Sequence, residues 1–226
     1  MIPETIFFLG KPHKILLSFS PANVSRVSIV ENQIKITLPA RNQSESHSEP
    51  NSKNFSEDFW GSALENENKT GISEKTARRW NAEKPGRARP IEKIGKIDNS
   101  EKVHKSGKNS LASDLLFNWL KAQAAKQIFQ RVNFFQNKMS LKVVKITLKD
   151  TSSRWGSCSR RGNLNFNWRL IMAPSEILDY VVVHEIAHLQ EMNHSPDFWE
   201  IVSYHCPTFK NCRVWLKTIG GKLFSV

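Results

Sequence analysis

The sequence predicts an α+β fold, on three observations along its 226 residues. The first 40 residues contain short segments that alternate polar and apolar side chains, which is the two-residue period of a half-buried strand. A segment beginning near residue 110 repeats apolar side chains at helical spacing up to about residue 136. Two further alternating segments then precede several helix patterns. We therefore expect a small antiparallel or mixed sheet with helices packed around it.

The predicted N-terminal strands occupy residues 1–40. Glu31-Asn32 stands between two of them and indicates a tight hairpin turn, and residues 20–23 give a second turn signal. The apolar patch Ile6–Leu9 is too short for the hydrophobic core of a signal peptide, and the acidic Glu4 precedes it. The three predicted strands are Lys14–Phe19, Arg26–Val30 and Gln33–Leu38.

Residues 41–108 have a different composition, dominated by Ser, Asn, Glu and Lys, with sparse and aperiodic apolar residues. Such a segment buries too little apolar surface to offset the entropy that is lost on ordering. We predict a mostly disordered insertion, with a transient helix near Glu74–Trp80. The alternative is that the segment serves as a docking region or a nucleic-acid tether.

Residues 109–226 hold the dense apolar pattern and are predicted to form the folded domain that carries the chemistry. Arg161-Gly162 is expected to form a turn. The first helix is predicted at Ser110–Gln136, with an apolar stripe of Leu115, Trp119, Ala122, Ile128, Val132 and Phe135. The other predicted elements are strands at Leu141–Leu148 and Asn163–Asn167, and helices at Ser175–Met192, from Pro196, and near Cys212–Thr218.

The letters HEIAH at residues 184–188 form an H-E-x-x-H pattern inside the predicted helix. Residues four apart lie on one face of a helix, so the imidazoles of His184 and His188 can reach one metal ion. Zinc is the ion that this pattern predicts, with Glu185 beside it to activate a water molecule. Ser175 is the expected N-cap of the helix.

A catalytic zinc site needs a third protein ligand and one open position. His194 is the candidate, provided that the helix ends between it and His188. Asn193 is expected to end the helix in a left-handed conformation. Ser195 is then the N-cap and Pro196 the first residue of the next helix, which leaves His194 in the corner between two helices.

Eight short segments together carry the pattern of a known family: Arg154–Cys158, Phe166–Leu170, Ala173-Pro174, Tyr180–Glu185, Asn193–Ser195, Phe198-Trp199, Cys206-Pro207 and Trp215-Leu216. They resemble the YgjP-like metallopeptidase family, which is related to SprT-type and other zincin proteases. The resemblance covers residues 109–226, extends more weakly to the strands before residue 40, and does not include 41–108. It implies a zincin-like α+β catalytic domain, one zinc ion on the three histidines, and Glu185 as the catalytic base.

The function predicted from these residues is hydrolysis of a peptide or protein substrate by a zinc-dependent metallopeptidase. Glu185 takes a proton from the attacking water and passes it to the leaving amine. A group that stabilises the developing oxyanion is also needed. The candidates for this role are Arg154, Tyr180, Tyr204 and His205, and the first three are also the candidates for substrate binding. Residues near Arg154–Cys158 can also pair with an extended peptide by strand addition.

The chain carries a net charge of +12, with Lys+Arg 33 against Asp+Glu 21. This charge is compatible with an acidic partner such as nucleic acid or a nucleotide. Three cysteines are too few, and odd in number, for a disulfide framework. No stretch approaches the roughly 18 apolar residues that a membrane span needs. We therefore expect a cytoplasmic protein.

Three other functions are compatible with the same sequence. A nucleoside triphosphate pyrophosphatase type of phosphohydrolase would use the same metal, since four arginines suit phosphate groups: Arg154, Arg160, Arg161 and Arg169. A non-catalytic zinc-binding module would need a fourth protein ligand, and a nucleic-acid-associated module would lose binding steeply with added salt.

Overall fold

A computed structural model of the chain describes residues 2–22, 24–40 and 108–225. Within them lie two mixed sheets and four α-helices, which confirms the predicted α+β class. The predicted insertion at 41–108 and its transient helix lie outside the described residues, apart from residue 108. In chain order the elements are β1 (Thr5–Phe8), β2 (Lys11–Ser20), β3 (Arg26–Val30), β4 (Gln33–Pro39), α1 (Lys108–Lys138), β5 (Lys145–Lys149), β6 (Gly156–Cys158), β7 (Asn163–Asn167), a 3-10 helix (Trp168–Met172), α2 (Ser175–Ala187), α3 (Pro196–His205), α4 (Phe209–Thr218) and a second 3-10 helix (Gly220–Ser225).

The first sheet has the strand order β1-β2-β4-β3, with β2 and β4 parallel and the two outer pairs antiparallel. The hairpin turn predicted between β3 and β4 is confirmed, and Glu31 there has a positive φ of 53°. Ile34 and Ile36 of β4 are fully buried, and β3 and β4 pack against α1. Two features differ from the sequence prediction: β1 is an additional strand, and β2 is longer than Lys14–Phe19.

Helix α1 is the central element, because it packs against the first sheet, the first 3-10 helix and α2. The predicted stripe is buried at Ile128, Val132 and Phe135, but Ala122 is exposed, and Leu115 and Trp119 are only partly buried. The helix is covered from several sides, so amphipathic spacing alone does not fix which face lies deepest. The buried positions are Ala112, Leu116, Leu120, Ala124, Ile128, Val132 and Phe135.

The second sheet has β7 at its centre, parallel to β5 and antiparallel to β6. Side chains alternate between the two faces of a strand, so the register assigns each residue to a face. The apolar face holds Ile146, Leu148, Leu164 and Phe166 together with Gly156 and Cys158 of β6. The polar face holds Lys145, Thr147, Lys149, Asn163, Asn165, Asn167 and Ser157.

The start of α2 is held by contacts from a distant part of the chain, the β1–β2 turn. The β1–β2 turn bonds to the first 3-10 helix, with the N–H of Leu9 donating to the carbonyl of Ile171 at 2.7 Å. Gly10 has a φ of +76° and lies so close to Pro174 that a Cβ would come within 2.8 Å of its Cα. Any larger residue would therefore push the turn away from the helix start.

A bidentate ion pair ties α1 to α2. The Arg131 guanidinium donates to the Asp179 carboxylate through Nε at 2.5 Å and through an Nη at 2.7 Å. A planar fork of this kind fixes orientation as well as distance. The ion pair therefore sets the rotation of α2 about its axis, and with it the direction of the H-E-x-x-H face.

Several predicted boundaries are corrected by the structure. α2 ends at Ala187, not Met192, and its N-cap is Pro174, so Ser175 is the first helical residue and makes no capping bond. The strand predicted at Leu141–Leu148 forms only at Lys145–Lys149, and the last helix begins earlier than predicted, at Phe209. Within the described residues, no helix combines the length and the apolar character needed to cross a bilayer.

Candidate metal centre

Helix α2 carries His184 and Glu185, and His188 is its C-cap. Most of the helix is enclosed by the core, and this includes the Glu185 side chain, which is only 5% exposed. The buried residues of α2 are Ile177, Leu178, Tyr180, Val181, Val182, Val183, Glu185, Ile186 and Ala187. The two histidines and the carboxyl therefore stand on an element that the packing holds in place.

The three histidines predicted to share a metal come together in space. His184, His188 and His194 each offer a ring nitrogen, and these nitrogens all lie within 4.8 Å of one another. The Nε2 atoms of His184 and His194 are 3.1 Å apart. Two nitrogens at about 2.0–2.1 Å from a tetrahedral zinc ion are separated by about 3.3 Å, so this pair nearly has the spacing of zinc ligands. A set of three imidazoles fits the nitrogen chemistry that zinc prefers.

The aromatic ring of Phe198 packs against the rings of all three histidines. Phe198 is fully buried in α3, and its ring stacks on His188 at 4.5 Å between centroids. The same ring meets His184 and His194 edge-on at 4.9 and 4.8 Å. The sequence analysis used Phe198 only for the family resemblance, but in the structure its ring contacts all three imidazoles.

The corner at residues 188–195 brings His194 back over α2, by a route that differs from the prediction. Positive φ values among the described non-glycine residues are limited to Leu9, Glu31 and Ser140, so Asn193 is not left-handed. The chain instead tightens directly after α2, where the N–H groups of Leu189 and Gln190 bond to carbonyls three residues back. A 3-10 turn of this kind ends many α-helices.

The restart after the corner is as predicted. The N–H of Phe198 donates to the Ser195 hydroxyl at 3.3 Å, which makes Ser195 the N-cap of α3, and Pro196 is the first helical residue. On the other side of the corner, Nδ1 of His188 lies 3.1 Å from the carbonyl oxygen of Glu191. An Nδ1–H that donates to this oxygen leaves Nε2 of His188 directed towards a metal.

The electrostatics of the site favour neutral histidines. Burial, followed by the neighbouring His188 and His194, lowers the pKa of His184 to about 3. Burial also lowers the pKa of His188. Neutral imidazole is the form that binds metals, so these two side chains are ready to act as ligands at neutral pH.

The Glu185 carboxyl lies against the backbone of β6. A Cβ on Gly156 would come within 2.5 Å of Glu185 Oε1, so only glycine fits at this position. Burial raises the pKa of Glu185 to about 8, whereas a divalent cation on the adjacent histidines would act in the opposite direction. Burial, and to a smaller extent the Glu185 carboxyl, raises the pKa of the Cys158 thiol to about 11, so this thiol stays protonated.

Within the described residues, strand β6 presents main-chain groups without a partner beside this carboxyl. Asn167 N–H donates to the carbonyl of Trp155, and Ser159 N–H donates to that of Asn163. Bonded and non-bonded residues alternate along an antiparallel pair, so Ser157 also faces β7. The N–H and C=O groups of Gly156 and Cys158 therefore point away from β7, along the outer edge of the described sheet.

The three residues predicted to bind substrate lie in different places. The hydroxyl of Tyr180 is 3.5 Å from Nδ1 of His184, on the ring nitrogen that does not face His194. Tyr204 is turned outward on α3 and packs edge-on against His205, which is not one of the three histidines. Arg154 is exposed and directly precedes the Trp155-Gly156 step into β6.

Two more residues border the histidines without having been singled out for this role. The ring of Trp199 stacks on His194 at 5.6 Å, and the guanidinium carbon of Arg213 lies 4.3 Å from the centre of the same ring. The positive charge of Arg213 is also one of the smaller causes that lower the pKa of His184. A sequence signal was available only for Trp199, which belongs to one of the segments that resemble the family.

An H-E-x-x-H helix whose histidines meet a third histidine beside a buried carboxyl defines the class of metal-dependent hydrolases. The comparison with known families agrees, because the chain matches the family described as YgjP-like, metallopeptidase domain, over residues 66–219. The match spans more than half of the chain, and the chain belongs to this metallopeptidase family. The match begins inside the segment 41–108, which the sequence analysis had left out of the resemblance.

Other comparisons add little. The chain matches no curated protein. Among solved structures it is similar to the crystal structure of Wss1 from Saccharomyces cerevisiae, with 16% sequence identity and a TM-score of 0.33. The match covers 42% of this chain and 77% of that chain. A likeness of this strength carries no argument about function.

Proposed function

We propose that the chain is a zinc-dependent peptidase in which His184, His188 and His194 hold one zinc ion and Glu185 is the general base. The observation that carries the proposal is the convergence of three imidazole nitrogens within 4.8 Å beside a carboxyl that is 5% exposed. Three nitrogen ligands and one open position are the composition of a catalytic zinc site. The family match supports peptide hydrolysis as the reaction.

Each residue has a separate part in this reaction. Zinc supplies Lewis-acid chemistry when bound, by acidifying a water molecule and polarising the substrate carbonyl. Glu185 accepts a proton from the attacking water and delivers it to the leaving nitrogen, so the peptide bond breaks with the proton on the amine. Tyr180, on Nδ1 of His184, orients that imidazole so that Nε2 faces the metal.

The substrate is proposed to lie in an extended conformation along β6. The N–H and C=O groups of Gly156 and Cys158 offer it main-chain hydrogen bonds, as in other cases of strand addition. Because Gly156 lies in contact with the Glu185 carboxyl, a peptide paired at this residue brings its backbone next to the proposed base. Proximity and orientation are thus provided by a strand and a helix of the folded core.

The test is the Glu185→Gln variant, which keeps the size of the side chain and removes the base. We expect unchanged zinc content by elemental analysis, and a fall in cleavage of an unstructured protein by about 100-fold or more. Glu176→Gln is the matched control, because this exposed carboxyl lies on the same helix near its start, away from the triad, and the variant should retain activity. Full activity of Glu185→Gln would reject the proposed base.

The alternative of a nucleotide phosphohydrolase rests on the arginines named from the sequence, of which Arg169 is paired with Asp150. A parallel assay with nucleoside triphosphates separates the two reactions. Nucleotide hydrolysis that depends on Glu185, in the absence of protein cleavage, would replace the peptidase proposal.

A further inference from the structure

The polar face of the second sheet forms one wall of a cavity of about 510 Å³. Lys149, Ser157, Asn165 and Asn167 contribute from the strands, and the loop at residues 150–155 closes the other side. The Glu185 carboxyl lies against Gly156 on the opposite, apolar face. A single strand, β6, therefore separates the cavity from the metal centre. The proposed peptidase reaction does not involve the cavity.

The loop that closes the cavity is held in place by a buried amide. Asn167 is 1% exposed, and its Nδ2 donates to the carbonyl of Thr151 at 2.6 Å. The Thr151 hydroxyl in turn donates to the carbonyl of Arg154 at 2.8 Å. These bonds fix the loop conformation, so the cavity is a built feature of the fold.

The charge around the cavity is positive. Lys149 and Arg154 line it, together with one carboxylate, that of Asp150. The Asp150 carboxylate accepts a hydrogen bond from the Arg169 guanidinium, which neutralises it. Arg154 has no carboxylate partner among the described residues, so its guanidinium is available to an anion.

Backbone donors add to this character. Among the described residues, the N–H groups of residues 152–155 donate to no backbone carbonyl and to no side chain. The hydroxyls of Ser152 and Ser153 lie on the same loop and line the same cavity. These N–H groups have no protein partner in the described part of the chain, so they are free to bond to a ligand oxygen or to water.

The cavity lies where a peptide paired with β6 would direct one of its side chains. A paired strand places alternate side chains on opposite faces of a sheet. If one substrate residue faces Gly156 and the Glu185 side, the neighbouring residue, opposite Ser157, directs its side chain towards the cavity. The side chain next to the reacting residue is therefore the one that this cavity receives.

We propose that the cavity is a specificity subsite that binds the acidic side chain of the substrate residue paired with Ser157, with Arg154 as the carboxylate-binding residue. This inference rests on the proposed peptidase function and on strand addition at β6. It adds a substrate class, peptides with Asp or Glu adjacent to the residue at the metal centre.

The experiment measures binding separately from turnover. Zinc-loaded full-length Glu185→Gln protein is titrated into fluorescent peptides that carry Asp, Asn, Glu or Gln at one scanned position, with anisotropy as the readout. Arg154→Gln is compared with Arg160→Gln, which removes the same charge from an exposed arginine that does not line the cavity. Arg154→Lys retains the charge but loses the planar fork.

We expect acidic peptides to bind about tenfold more tightly than their amide counterparts, because a charge-assisted hydrogen bond typically contributes about this factor to the affinity. Arg154→Gln should abolish the difference, Arg154→Lys should keep part of it, and Arg160→Gln should keep all of it. Equal affinity for acidic and amide peptides, or a preference that survives Arg154→Gln, overturns the subsite. So does displacement of the acidic peptide by a nucleoside triphosphate in an Arg154-dependent manner, because this assigns the cavity to phosphate.

Cleavage by the otherwise unchanged chain, measured in parallel, separates the two proposals. Cleavage without an acidic preference rejects the subsite and leaves the peptidase. An Arg154-dependent preference in binding, without any cleavage, rejects the peptidase and leaves the cavity as an anion site.

Discussion

Helix α2 and the corner at residues 188–195 both supply histidines to the metal centre, but the fold holds them very differently. α2 is enclosed by α1, the second sheet and α4. In the corner, Met192, Asn193 and His194 are exposed. Two imidazoles are therefore positioned by core packing before any ligand binds, whereas the third depends on a short surface connection. In the proposed site, a bound metal ion would therefore join a rigid half-site to a more adaptable one.

The largest expected effect is a difference in zinc affinity between variants of the two half-sites. We expect His188→Ala to weaken zinc binding by more than about 100-fold, because the loss of a residue that only supports a metal ligand already costs up to that factor. His194→Ala should weaken it less, because water can take the place of an exposed ligand. Competition with a chromogenic chelator measures both affinities. A greater loss in His194→Ala would contradict the comparison, and unchanged zinc affinity in His188→Ala would reject the ligand set.

A second effect concerns the carboxyl that α2 keeps buried. The pKa of Glu185 is raised from 4.5 to about 8, so the folded state holds a proton that the unfolded state releases. The stability associated with this proton is present below pH 4.5 and is lost as the pH rises towards 8. Glu185→Gln should therefore stabilise the metal-free protein by about 2–3 kcal/mol at pH 7, and by much less at pH 4.5.

Urea unfolding in the presence of a chelator, at the two pH values, measures this change. Glu176→Gln at the exposed start of α2 is the comparison, and it should alter the free energy of unfolding by no more than about 0.5 kcal/mol. If Glu185→Gln were as neutral as Glu176→Gln, the Glu185 carboxyl would not experience the desolvation that the structure assigns to it.

The smallest effect concerns the cap that closes the corner. Ser195→Ala removes the acceptor for the N–H of Phe198 and should cost about 1 kcal/mol of stability, with a modest loss of zinc affinity through His194. Ser195→Thr keeps the hydroxyl and should restore both. Ser203→Ala is the control, since that hydroxyl bonds within the same helix but away from the corner. Thermal unfolding with and without zinc distinguishes the cases, and a zinc affinity that responds equally to Ser203→Ala would remove the role of the cap.

Local patterns were enough to predict part of the site. The spacing of His184 and His188 follows from helix geometry, and the Ser195-Pro196 restart is a two-residue signal with a simple physical cause. The end of α2 was predicted five residues too late, because the sequence between Ala187 and Met192 contains no strong helix breaker. The structure ends the helix through the 3-10 turn at Leu189 and Gln190.

Features that join distant residues had no local signal. Gly156 and Glu185 are 29 positions apart, and nothing at either position indicates that a Cβ on one would meet the carboxyl of the other. The N-terminal half of the buried stripe of α1 was misassigned for a related reason, since the three partners around that helix decide which residues lie deepest. The cavity behind β6 likewise depends on a loop whose position is set by Asn167.

Strand β6 has only three residues, and it exposes the main-chain groups of just two of them, Gly156 and Cys158. A docking edge this short can hold only chain segments whose own N–H and C=O groups are free. Residues in a completed helix or sheet have already committed those groups. The proposed enzyme would therefore select its substrates by their conformational state. It would cleave a given sequence in a nascent, damaged or unfolded chain and leave the same sequence intact in a native protein.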